Sequence, residues 1–240
     1  MAIDIYNNDI HLIVDDFIEA GPRGRLREHP GVHNIRVLRN RGVNAAQCGL
    51  SAQPVFGGPA YFIRNVLYHI PVGVALKFMA KPAGLVVYHN TVIAENRNRD
   101  PYSNAHFRNN LFLGTDAPGR NISIFPNATS YSSYDYNGYR PNRGASDQHL
   151  WASPGPKGGP VGTPAGLRGY KTLQELSAAT GQEAHGVELD CDIFENLRAP
   201  DPAKPRAVYH AEDLDFRPRP GGKAVDAGVR LPNVNGDFTG

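Results

Sequence analysis

Long apolar runs are missing from this 240-residue chain: no stretch approaches the ~18 residues of a membrane span, so no membrane partner is expected. No basic segment followed by an apolar one opens it either, so the chain carries no visible signal peptide. Met1-Ala2 runs straight into the strand-like Ile3-Asp4-Ile5-Tyr6, an abrupt start that leads us to expect a chain cut from something longer. Cysteine is scarce. Cys48 and Cys191 fit no metal spacing, no metal site is expected, and free, buried thiols are the expectation. Charge is scarce too: 20% of residues are charged and the formal net charge is +2, too mild for a nucleic-acid partner although compatible with an acidic polysaccharide. Helical periodicity is nearly absent, whereas 26 glycines and 20 prolines signal many turns, so the chain reads as turn-rich and β-rich. Its length suits one large domain with a real core, or two small ones.

What is present is a repeat. Short apolar-x-Asn segments recur as Tyr6-Asn7-Asn8, Leu38-Arg39-Asn40, Ile63-Arg64-Asn65, Tyr88-His89-Asn90, Phe107-Arg108-Asn109 and, more weakly, Asp135-Tyr136-Asn137. The asparagines at 8, 40, 65, 90, 109 and 137 are 32, 25, 25, 19 and 28 residues apart, too far for hairpins. A second apolar patch follows each, as in Val66-Leu67-Tyr68 and Val92-Ile93. Short strands at such spacing, with no helices between, predict a parallel β-helix in which each unit is one coil and the asparagines stack at a corner. At that corner Asn tolerates the left-handed backbone conformation, and its amide can bond the next coil. A β-sandwich whose turns use Asn is the alternative.

The pattern is expected to stop after Asn137. Residues 1–140 are then the coils, 141–170 a Gly/Pro-rich loop excursion, and 171–240 a helix with a β/loop cap of the same domain. Thr172 is placed to cap a helix over Leu173-Gln174-Glu175-Leu176, with Gly181 as its stop. Ala179-Thr180-Gly181-Gln182-Glu183 and the segment from Asp215 through Gly228 resemble the carboxy-terminal region of bacterial right-handed parallel β-helix repeat proteins. That resemblance, which covers nearly the whole chain, implies an all-β, right-handed pectate-lyase-like solenoid with a short capping helix and long loops. It also implies a secreted origin.

One strand concentrates charge. Val14-Asp15-Asp16-Phe17-Ile18-Glu19 places three carboxylates in a β-prone run, where unpaired charge is costly. Strict alternation gives two options: Asp16 buried with Val14 and Ile18, or Asp16 outward with Asp15 and Glu19 buried. Asp15-Asp16-Phe17-Ile18 is similar to the "DDCI" element of polygalacturonases in glycoside hydrolase family 28, Cys48-Gly49-Leu50-Ser51 to "HGLS", and Gly73-Val74-Ala75-Leu76-Lys77 to "GVRIK". Cys48 stands where the motif has histidine, Ala75 where it has arginine, and an aspartate of the "NTD" element would precede residue 1. The resemblance implies a hydrolase cleaving glycosidic bonds in an acidic or plant/microbial polysaccharide.

Hydrolysis needs one carboxylic acid and one carboxylate about 5–9.5 Å apart, a span that stacked coils provide. Asp15, Asp16, Glu19 and Lys77 are the candidate catalytic residues, and Gln47, Ser51, Gln53, Arg36 and Arg39 the candidate substrate contacts. The same carboxylates also fit turn caps or a structural cation. A uronate lyase is the second enzymatic reading, with Lys77 and Arg36, Arg39 or Arg64 on the basic side and Ca²⁺ on the acids. A non-catalytic glycan-binding or structural module is the alternative from another class. His33 and His89 lack a second metal ligand, Asp190, Asp192 and Glu195 suit turn bonding, and Tyr131, Tyr134, Tyr136, Tyr139 and Trp151 are either sugar platforms or loop packing. With nothing before the first coil, its edge leads us to expect missing upstream coils, an oligomeric neighbour covering it, or a fragment that aggregates.

Overall fold

A computed structural model describes residues 3–21, 34–53, 55, 59–98, 100–152, 166–232 and 234. His33 and most of the Ser153–Gly166 stretch lie outside them. Strands arrive in threes, each joining a different parallel sheet, and the first strand of each new group pairs with the first of the group before.

The first sheet is built in order from Ile3–Tyr6, Ile35–Leu38, Ala60–Ile63, Ala83–Tyr88, Ser103–Arg108 and Ser133–Asp135. The second takes Asp9–Ile13, Arg41–Ala45, Val66–Tyr68, Thr91–Ile93, Leu111–Leu113, Gly138–Arg140 and finally Val187–Glu188. On the third side, Asp16–Ala20, Cys48–Ala52 and Val74–Phe78 form one sheet; Asn96–Arg97, Ser123–Pro126 and His149–Ala152 form another, closed by the antiparallel Arg168–Tyr170. The protein is mostly β, with parallel sheets. Gly138–Arg140 falls within the expected coils, and beyond residue 140 His149–Ala152 pairs with Ser123–Pro126 and Val187–Glu188 with Gly138–Arg140, so parallel pairing runs on into the expected loop and cap regions.

Inward rows explain the stacking. Ile5, Val37, Phe62, Val87, Phe107 and Tyr134 follow one another in register, and all but the partly buried first are at most 1% exposed. Phe107 and Tyr134 stack at 4.8 Å, Phe112 and Tyr139 at 5.8 Å. Trp151 is buried at 4.8 Å from Tyr134. Tyr134, Tyr139 and Trp151 therefore pack the interior and offer no sugar platform; Tyr136 stacks on His185 at 4.4 Å, and Tyr131 alone of the group is exposed.

At the corner between the first and second sheets, asparagines 8, 40, 65, 90, 110 and 137 form a continuous ladder. Each of the first five donates its backbone N–H and side-chain amide to the Oδ1 of the next, at 2.8–3.1 Å. From Asn40 onward each amide also donates to a carbonyl of the preceding circuit, as Asn65 does to Val37 at 2.9 Å. The rung is Asn110, not Asn109, and the left-handed residue is the one before each rung: Asn7, Arg39, Arg64, His89, Asn109 and Tyr136, with φ of 54–58°. Asn109 instead clamps the tail through Val229, at 2.7 and 2.9 Å.

The helix forms over Leu173–Thr180, with Thr172 accepting from the Glu175 N–H at 3.1 Å and Gly181 left-handed at its end. Leu173 and Leu176 enter the core beside Trp151 and Tyr134. Beyond it, Leu189, Ile193, Phe194 and Leu197 cover Val43, Tyr68, Ile93 and Leu113 on the outer face of the second sheet. Asp190 accepts from the Cys191 N–H at 2.6 Å and from Arg140 at 2.7 Å, a turn-capping role.

Candidate functional site

The third sheet places the carboxylates. Strict alternation fails there: Phe17 and Ile18 are consecutive, both 7% exposed, and both in the core. Gly42 makes the double entry possible, since a Cβ on it would lie 2.5 Å from the Phe17 ring. With 17 and 18 both in the core, Asp16 and Glu19 flank them, Asp16 covered by Lys77 and Gln53 and Glu19 exposed, an arrangement neither alternation option contained. Asp15 and Glu19 are exposed, Val14 is 79% exposed, and the Asp16 side chain is only 3% exposed.

Register then brings in the neighbours. Asp16 aligns with Cys48 and Val74, and Glu19 with Ser51 and Lys77. The Lys77 ammonium crosses to Asp16 and donates to both its oxygens, at 3.1 and 3.3 Å. Gln53 Nε2 donates to Asp16 at 3.2 Å and to Ser51 Oγ at 3.1 Å, and reaches Glu19 Oε1 at 3.5 Å. One nitrogen between two carboxylates keeps those oxygens less than about 7 Å apart, below the ~9.5 Å limit for paired glycosidase carboxyls.

Electrostatics gives each group a character. Burial pulls the Lys77 pKa down, but the hydrogen bond and charge of Asp16 outweigh it, so Lys77 ends above its ordinary value and stays an ammonium. Burial, reinforced by Asp16, pushes the Cys48 thiol up to about 11. Beside Lys77 opens a cleft of ≈ 400 Å³ lined by residues that include Gln47, Cys48, Arg97, Asn98 and Asp100.

Arg97, Asn98 and Asp100 belong to no motif, and sequence reasoning missed them. Two act where the third sheet ends: Asn98 Oδ1 accepts from the Phe78 N–H at 2.9 Å and Asp100 Oδ2 from Ala80 at 3.2 Å. Side chains thus replace a fourth strand, a local substitution whose only trace in sequence is polar residues spaced by two. Asp15, Asp16, Glu19, Gln47, Ser51, Gln53 and Lys77 all lie on the third sheet or its turns. Arg36 and Arg39 do not join them: Arg36 pairs with Asp4 on the first sheet at 2.5 and 2.7 Å, and both arginines line a separate cleft there. Ser51 is fully buried and accepts from Gln53.

Calcium does not fit these acids as they stand. Lys77 and Gln53 present donors to Asp16, and among the described residues no group of three His, Cys, Asp or Glu side chains is arranged to hold a metal ion. Cys48 and Cys191 are both free and buried. Ala75, where the polygalacturonase motif has arginine, is fully buried in the core.

Compared with known proteins, the chain matches no family model, no curated protein and no solved structure.

Proposed function

We propose that this chain is a right-handed parallel β-helix that hydrolyses glycosidic bonds, in the manner of the polygalacturonases its third-sheet strands resemble. The observation that carries the reading is the Gln53-bridged carboxylate pair, the covered Asp16 and the exposed Glu19, beside the ≈ 400 Å³ cleft at Lys77. Asp16, oriented by Lys77 and Gln53, is the carboxylate that activates water. Glu19, exposed and within reach of the same amide, is the proton donor to the leaving oxygen. Asp15 adds negative charge near Lys77, and Gln47 and Arg97 are placed along the cleft to contact sugar.

Elimination is the weaker enzymatic reading, because its base would have to lose a proton that Asp16 holds on Lys77. A non-catalytic glycan-binding module is favoured by one observation: Cys48, in the motif histidine's place, has a thiol pushed up to about 11 and cannot serve as an acid–base group near neutrality. Polygalacturonate and a panel of neutral and uronic polysaccharides, scored for new reducing ends and for ultraviolet-absorbing unsaturated ends, test all three. Reducing ends without unsaturation support hydrolysis, both together support elimination, and neither, with retained binding, supports the module.

A further inference from the structure

The outer face of the first sheet carries a hydroxyl–imidazole pair that the third-sheet reading does not use. Ser133 Oγ lies 2.8 Å from His106 Nδ1, and His106 Nε2 lies 3.1 Å from the amide oxygen of Asn104. An amide oxygen only accepts, so Nε2 carries the ring proton. That leaves Nδ1 as an acceptor, to which the Ser133 hydroxyl donates. A serine thus meets a basic nitrogen, and the far side of the ring is held by a third group.

The sheet fixes this contact, because His106 and Ser133 are direct neighbours in the parallel pair of Ser103–Arg108 and Ser133–Asp135. The later strand begins only at Ser133, so the N–H groups of Asn104 and Ala105 just before the paired stretch find hydroxyls instead. Asn104 donates to Thr129 Oγ1 at 2.8 Å and Ala105 to Ser132 Oγ at 3.0 Å, and those two hydroxyls bond each other at 2.8 Å. Thr129 and Ser132 therefore complete the sheet, whereas Ser133 Oγ turns to the imidazole. The same bonds pin Asn104, left-handed at φ 50°, behind the ring. His106 and Ser133 are half-buried and Asn104 is exposed, so a reactant can approach from solvent. Burial, helped by the charge of Arg108, lowers the His106 pKa, so the ring is neutral near pH 7 and free to take a proton.

We propose that Ser133, His106 and Asn104 form a catalytic triad that hydrolyses small carboxylic esters, with Ser133 as nucleophile, His106 as general base and Asn104 as the positioning residue. Ser133 Oγ bonds to the carbonyl carbon as its proton passes to His106 Nδ1. The tetrahedral adduct then expels the alcohol, which leaves with that proton, and an acyl-serine remains. Water next gives a proton to Nδ1 as its oxygen bonds to the acyl carbon; the second adduct collapses to the carboxylic acid, and Ser133 recovers the proton. Arg108, two residues on from His106 along the same strand, supplies positive charge toward the oxyanion of each adduct. Asn104 brings no charge to stabilise an imidazolium, so esters with easily expelled alcohols suit the site better than amides. The triad lies on a different sheet from Asp16 and Lys77 and works whether or not those residues cleave glycosides.

Hydrolysis of p-nitrophenyl acetate by the full chain, with a fluorophosphonate probe mapped by mass spectrometry, tests the proposal. The expected result is turnover above the buffer rate and the probe attached to Ser133. Ser133→Ala and His106→Gln should each lower kcat by about 100-fold or more, with thermal melting close to the parent's. Asn104→Ala should lower it by about tenfold, and Asn104→Asp, which keeps an acceptor behind the ring, should recover the loss. Hydrolysis no faster than buffer, a probe attached elsewhere, or turnover retained in Ser133→Ala would overturn the proposal. So would an Asn104→Asp variant no more active than Asn104→Ala.

Discussion

Glu183 ends the asparagine ladder, and its protonation should tune the stability of the whole stack. Its side chain is buried, its Oε1 accepts from the Asn137 amide and from the Tyr139 hydroxyl at 2.7 Å each, and the Asn137 N–H approaches Oε2 at 3.4 Å. Burial outweighs these bonds and lifts its pKa from the ordinary 4.5 to about 7. A carboxyl whose pKa rises on folding binds more protons in the native state, so its contribution to stability falls as pH climbs from about 4.5 to 7. The shift corresponds to about 3 kcal/mol, nearly all lost above pH 7. His149, fully buried and lowered by burial to about 4, acts oppositely, destabilising the fold as pH drops below its ordinary range. The buried His69 and the half-buried His89 and His106 are likewise lowered by burial, so the parent's profile alone mixes several groups. Glu183→Gln isolates the carboxyl, because its amide oxygen still accepts from Asn137 and Tyr139 while nothing titrates at that position. Urea unfolding of both proteins at pH 5 and pH 8 should show the variant gaining on the parent by about 2–3 kcal/mol between the two pH values. Parallel profiles for the two proteins would refute the assignment of a titrating carboxyl to the ladder's end.

Inside the ladder, Asn65→Ala removes four hydrogen bonds at a fully buried site and leaves Asn40, Val37 and Asn90 short of partners; about 3–5 kcal/mol of destabilisation is expected by urea unfolding. Gly42→Ala drives a methyl into the Phe17 ring, so it should cost about 1–3 kcal/mol and lower any activity that depends on Asp16, with Phe17→Leu restoring part of both. Cys48 and Cys191, both raised to about 11 mainly by burial, should resist a thiol reagent at pH 8 in the native protein and react fully in urea, as absorbance of the released thiolate reports.

The repeat was legible because a ladder needs one asparagine per circuit, and a residue required that often leaves a period. The adjacent Asn109 and Asn110 blurred it by one position, since only the geometry tells a corner residue from a rung. The end of the ladder was not legible: Glu183 lies 46 residues beyond Asn137, with the helix between them. Asp15, Asp16, Glu19 and Lys77 stood out as charges in strand-like runs, but their facing did not. Phe17 enters the core through a gap at Gly42 on a neighbouring sheet, a contact no local alternation encodes. Arg36 and Arg39 were read into the same groove as Asp16 because sequence order does not say which sheet a strand joins.

In the proposed hydrolase Asp16 and Glu19 work as a pair. Initial rates of reducing-end release from the polysaccharide the screen identifies, compared for the parent, Asp16→Asn and Glu19→Gln under saturating substrate, test it most directly. Each substitution should lower kcat by at least 100-fold while thermal melting and substrate affinity stay close to the parent's. Turnover undiminished in both variants would contradict it.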